Sequence, residues 1–199
     1  MTKGILPVLL VLICSSLLLC GCGEKEKVTK VTAEQLTNQG WTKFAAGDYS
    51  GAGADFEAAI GLDTTYVDAY LGLGWAELKQ FAAGLAEEAF EKYILKGGSS
   101  DDARAGLALA CHAQDKCEDA IDNANQLLTS DPDWSFSHDG STDYLDVALV
   151  LAHCYYETAQ FESCLDVIKE YFDPGFSVDP NTDQGRTDLA AKLNALYTG

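Results

Sequence analysis

Positive charge is scarce in this chain. Lysine and arginine number 13 against 31 aspartates and glutamates, a net formal charge of −18. Nucleic-acid binding leans on clustered cations, so this composition excludes it. A broad electrostatic footprint on anionic lipid is disfavoured for the same reason. Proline is rare, at 4, so the commonest helix breaker is largely missing. Catalytic signatures are missing too: there is no glycine-rich phosphate loop, no His-Glu-x-x-His and no Gly-x-Ser-x-Gly. His138 adjoins Asp139 without a placed nucleophile, and Asp139-Gly140 is too little for a calcium loop. Cys111-His112 and His153-Cys154 are adjacent pairs. Neighbouring helical residues point about 100° apart, so neither pair converges on one ion. These absences argue against an enzyme and give no reason to expect a metal or cofactor. Proteins, peptides and sugars remain as ligands.

Apolar residues, at 47%, suffice for a core, and their first concentration is at the start. Lys3 precedes an apolar run from Ile5 to Cys20, broken by Pro7 and Ser15-Ser16. That is the layout of a secretory signal, short for a membrane span. Its end, Leu19-Cys20-Gly21-Cys22, resembles the bacterial lipobox. The resemblance implies cleavage after residue 21 and diacylation of Cys22, an anchor of two or three acyl chains that holds firmly. No Asp follows Cys22. By the sorting rule of Gram-negative lipoproteins this implies the outer membrane, facing the periplasm. Residues 22–32 then form the lipidated Cys and a polar tether.

The rest of the chain repeats. Offset by 34 residues, Gly40 falls on Gly74 and Ala108, Ala52 on Ala86 and Ala120, and Phe56 on Phe90 and Ala124. Three contiguous units follow, 33–66, 67–100 and 101–134. After a loop-like insertion at 135–144 a fourth unit resumes at 145–178, ten residues late. Residues 179–199 hold a linker and a last amphipathic helix, with Leu189, Leu193 and Leu196 at helical spacing. A period of this length marks a helical array.

The unit resembles the tetratricopeptide repeat. Its markers are Leu36, Gly40, Ala52, Phe56 and Ala59 in the first unit, Tyr70, Leu73, Gly74, Ala86, Phe90 and Tyr93 in the second, and Leu107, Ala108, Ala120, Ala124 and Leu127 in the third. Gly47-Asp48-Tyr49 matches the family's inter-helix turn, and Phe81 stands where the second unit should have glycine. The resemblance implies an all-α fold, a right-handed superhelix of antiparallel helix pairs A and B, with the last helix capping helix B of unit four. It also implies a concave face lined by helices A. Carried over residue by residue, that face holds Glu34, Trp41, Phe44, Asp68, Leu71, Trp75, Leu78, Leu109, His112, Leu149, His153 and Tyr156, with His112 near His153. Its acidic edge is Glu34, Asp68, Asp102 and Asp146.

Trp41 and Trp75, one period apart, stack along this face. They either receive another envelope protein's apolar and basic segment, or pack internally under the tether or a loop. Aromatic walls also suit sugar rings, so a glycan or peptidoglycan ligand is the alternative. The insertion brings Trp134, Phe136 and His138 as a spacer or as part of the site. Of the cysteines beyond the signal, Cys111 and Cys117 flank the turn of unit three, and Cys154 and Cys164 that of unit four. An oxidising compartment would staple each hairpin, Cys111–Cys117 and Cys154–Cys164; otherwise all four are buried thiols at small-residue positions.

Overall fold

The structure is a computed structural model and describes residues 30–198. The lipobox, Cys22 and most of the tether lie outside the described residues. Within them the chain forms nine α-helices and no strand. Four antiparallel pairs follow in order: α1 (Ala33–Ala45) with α2 (Tyr49–Leu62), α3 (Val67–Lys79) with α4 (Ala83–Leu95), α5 (Asp101–His112) with α6 (Cys117–Ser130), and α7 (Tyr144–Glu157) with α8 (Phe161–Val167). The chain after α8 widens into a π turn over Ile168–Phe172, and α9 (Asp183–Thr198) ends it. Each helix packs on the next, and helices A of successive units touch one another. This is the α-solenoid that the repeat implies.

Local chemistry sets the ends of these helices. Thr32 caps α1 in a reciprocal box with Gln35, at 3.2 Å and 3.1 Å. Asp48 caps α2 by accepting the Gly51 N–H at 2.9 Å. The turn between A and B needs one residue at positive φ, and Gly47 supplies it at +80°. The same backbone recurs without glycine at Phe81 (φ 62°), Asp115 (φ 59°) and Ala159 (φ 59°). The turn geometry is therefore kept in every unit, whatever residue occupies it. Phe81 is 95% exposed, so its ring gains no packing in return for the left-handed backbone.

The helix crossings explain the periodic small residues. A Cβ on Gly40 would lie 2.7 Å from the Phe56 ring, and one on Gly72, in the next unit, would overlap the same ring. Gly74 and Gly106 clasp Phe90 in the same way. Phe56 of α2 and Phe90 of α4 thus each sit between two glycines of the flanking helices A. In unit three the ring is replaced by the small Ala124, and the facing position is Ala108 rather than glycine; both are fully buried.

The last helix buries Gly185, Leu189 and Leu193. It packs on α7 as well as α8, reaching beyond the helix B that the sequence pairs it with. Lys192 ties it to Asp173 at 2.7 Å, and Gly185 passes so close to the Asp179 carbonyl that a Cβ would overlap it. Among the described residues no helix is long and apolar enough to cross a membrane.

Candidate functional site

The insertion decides what the concave face is. Pro132 follows α6, and the chain then folds into a tight hairpin: Phe136 N–H donates to the Thr142 carbonyl at 3.0 Å, and Tyr144 N–H to that of Trp134 at 2.8 Å. Ser135 and Asp143 form an antiparallel bridge. Asp139 closes the tip, accepting from the Ser141 N–H at 3.0 Å and hydroxyl at 2.6 Å. The hairpin turns inward and lays its side chains on helices A.

Phe136 is 1% exposed. Its ring stacks on Trp75 at 3.9 Å between centroids and 19° between planes. Phe44 and Trp41 meet it edge-on, at 5.9 Å and 6.1 Å. Two residues on, His138 lies flat against Trp41 at 3.7 Å and 5°. Asp139 pairs with Lys79 at 2.6 Å, and the same ammonium donates to the Thr142 hydroxyl at 3.2 Å. At the base of the hairpin, the Trp134 indole donates to Asp102 at 2.9 Å.

The electrostatics follow from this seating. Hydrogen bonds from Lys79 and Ser141 pull the Asp139 carboxyl down to about 2. Burial pushes Asp102 above the ordinary carboxylate range, against the hydrogen bond from Trp134. Burial lowers His138, so the ring on Trp41 favours its neutral form. One polar group is left over: the Trp75 indole N–H is fully enclosed and has no acceptor among the described residues.

The expected groove is therefore divided. Trp75 is fully buried, Phe44 and Leu71 are buried, and Trp41 and Leu78 are half-buried. Trp41 and Trp75 do not form an open aromatic wall; the insertion covers them. Of the two readings of the pair, internal packing under a loop is the one found, because ten residues between units are enough to fold back into the array. The segment seated here brings a carboxylate to Lys79. Of the acidic edge, Glu34 and Asp68 are exposed, Asp102 holds Trp134, and Asp146 completes the capping box of α7 by accepting the N–H of its N-cap, Asp143, at 3.0 Å.

Beyond the insertion the face stays partly open. Leu109, His112, Leu149, His153 and Tyr156 are all half-buried. His112 Nε2 lies 3.0 Å from His153 Nδ1, bringing the two histidines together as the repeat implies. Burial first, and then His153, lower the pKa of His112. The Tyr197 ring of α9 meets His153 edge-on at 5.7 Å.

The hairpin staples are not formed. Cys111, Cys117, Cys154 and Cys164 are free buried thiols. The two cysteines of unit three face opposite ways: Cys111 turns back towards Glu87 of α4, with Sγ 3.8 Å from its Oε1, while Cys117 turns forward to a hydrogen bond with Cys154 of unit four. Burial pushes the Cys111 and Cys164 thiols up to about 12, and burial with the Cys117 contact raises Cys154 as well. Such thiols are packing groups rather than nucleophiles.

Sequence reasoning placed Trp134, Phe136 and His138 in the insertion without their contacts, and it missed the joint role of Lys79 and Asp139. A Trp-x-Phe-x-His alternation is the signal that was available. Alternate residues of an extended segment point to one side, and here that side is the groove.

No family model matches the chain, and no curated protein does. Solved structures do. The crystal structure of YrrB, described as a tetratricopeptide-repeat protein with an unusual peptide-binding site, superposes with a TM-score of 0.63 at 15% identity, covering 83% of this chain and 76% of that one. The MamA structure described as AMB-1 P212121 gives 0.62 at 20% identity, covering 84% and 92%. A further MamA crystal structure gives 0.61 at 17%, covering 83% and 88%. At these identities the likeness is one of fold, and the fold is that of tetratricopeptide-repeat proteins.

Proposed function

We propose that this chain is a non-catalytic adaptor lipoprotein of the bacterial cell envelope, which holds a segment of another protein on the concave face of its repeats. The observation that carries the reading is that this face already holds a polypeptide segment: residues 134–142, folded as a hairpin, lie against α1 and α3 with aromatic, charged and hydrogen-bonding contacts. Peptide capture in a groove of preformed helices needs these elements. The half-buried positions of units three and four, Leu109, His112, Leu149, His153 and Tyr156, extend the groove past the seated segment. YrrB, of like fold, is described as peptide-binding, which agrees with the reading.

Anchoring rests on Cys22 and its lipobox resemblance, with the outer membrane as the destination in a Gram-negative cell. Envelope assembly, secretion and polysaccharide export all employ held partners of this kind. The glycan alternative loses its main support, because the aromatic faces meant for sugar are stacked on Phe136 and His138.

A photo-crosslinker at Leu149, on the half-open face, tests the reading in native membranes. The adaptor reading expects one recurrent crosslinked protein at Leu149 and none at the exposed Glu118 of α6. Cys22→Ser should move the chain out of the membrane fraction. A crosslink pattern identical at both positions would refute capture by the concave face.

A further inference from the structure

We propose that the 134–142 hairpin is an internal ligand of the groove, seated where a partner segment of the same chemistry binds in exchange. That segment presents an aromatic ring to Trp75, a flat ring two residues later to Trp41, and a carboxylate next to it for Lys79. The inference rests on the adaptor reading and names the partner's chemistry.

Three observations support it. The contacts are those of a bound peptide: alternate side chains enter, and the intervening Ser135 and Ser137 stay exposed. The fit is incomplete, since the Trp75 indole N–H finds no acceptor although fully enclosed. An unpaired buried donor favours any guest that supplies a carbonyl there. The site also has an open edge. Trp41, His138 and Asp139 are only half-buried, so exchange can begin at the tip while Phe136 is still seated.

Being tethered at both ends, the hairpin competes at an effective concentration on the order of millimolar. A free segment therefore has to match it, and a partner held in the same membrane does so more easily than a dilute one. The hairpin sets a threshold, and it shields the aromatic wall while no partner is present.

The test uses a labelled synthetic peptide of residues 133–143 and two forms of the mature chain in detergent. One is wild type; the other has residues 135–142 replaced by glycine and serine at equal length. The expected result is binding to the replaced chain about 100-fold tighter than to wild type, the ratio of a millimolar effective concentration to a peptide Kd of about 10 μM. Phe→Ala at the peptide's Phe136 position should cost at least about tenfold, and Asp→Asn at its Asp139 position a few-fold.

Should the replaced chain fail to unfold cooperatively, His138→Ala with Asp139→Ala loosens the tip and keeps Phe136. This double variant should then bind the peptide more tightly than wild type does. A folded chain of either kind that ignores the peptide, or that binds the Phe→Ala peptide equally well, overturns the proposal. A persistent membrane crosslink at Leu149 would in that case leave the adaptor reading standing. Peptide binding without any membrane crosslink would do the reverse.

Discussion

Phe136→Ala separates a structural hairpin from a decorative loop. Phe136 is 1% exposed and touches Trp75, Phe44 and Trp41. Removing a buried phenylalanine side chain costs about 3–5 kcal/mol when the cavity cannot collapse. Collapse is blocked here, because Phe44 and Trp75 are buried in helices α1 and α3 and further held, Phe44 by Trp41 and Tyr49 and Trp75 by Phe90. Of the total, roughly 0.5–1.5 kcal/mol belongs to the aromatic geometry. Urea unfolding of the mature chain, followed by circular dichroism, should show the full loss for Phe136→Ala. Ser137→Ala, one residue along and exposed, should lie within about 0.5 kcal/mol of wild type. Tryptophan emission should shift to the red in Phe136→Ala before unfolding begins, as Trp41 and Trp75 meet water. A loss below about 1 kcal/mol with unchanged emission would refute the packing argument and the hairpin's place in the groove.

Phe81→Gly should stabilise the chain by roughly 0.5–1 kcal/mol in the same assay, because left-handed backbone strain of about 1–2 kcal/mol is relieved, less the entropy of a new glycine. Gly185→Ala should destabilise by about 1–3 kcal/mol, since its Cβ meets the Asp179 carbonyl and α9 must shift; protease nicking within 173–183 should rise accordingly. The Asp139 carboxyl, held near 2 by Lys79 and Ser141, sits below its ordinary 3.8. The folded state therefore binds its proton more weakly. Its contribution is complete above about pH 4 and disappears as pH falls towards 2, and Asp139→Asn should remove that part of the acid dependence. The lowered His112 acts at higher pH: burial first, and then His153, disfavour its protonation in the folded state, outweighing Asp115, which favours it. Stability should fall as pH drops below 6.5, and His112→Gln should flatten that slope in a series of unfolding curves.

How far the fold was legible depended on what each position had to do. The 34-residue period survives because its residues solve one steric problem: Phe56 needs Gly40 and Gly72, Phe90 needs Gly74 and Gly106. Such pairs recur by construction, so offsetting the chain against itself reveals the array. The inter-helix turn was less legible. Its backbone recurs at residues 47, 81, 115 and 159, yet only the first is glycine, because the packed array bears the cost of about 1–3 kcal/mol that each left-handed non-glycine residue carries. The helix pairs around it impose the conformation, and Phe81 read as a degenerate turn although its geometry is intact.

The cysteines and the groove each kept two readings for a shared reason: sequence distance within a hairpin is not spatial distance across units. Cys111 and Cys117 flank one turn but point to opposite neighbours, and the thiol that meets Cys117 is Cys154, on the next pair. Phe136 lies far along the chain from Trp41 and Trp75, and nothing in a periodic pattern marks an aperiodic insertion as the residue that fills the period's own groove. The physical constraint is visible only in three dimensions. Helices A alone expose a strip of large aromatic surface, and an array in water either loses that strip to a partner or covers it. The ten extra residues that break the period supply the cover, with one aromatic ring for each tryptophan and one carboxylate for Lys79. The slip between units three and four is thus part of how the concave face is completed.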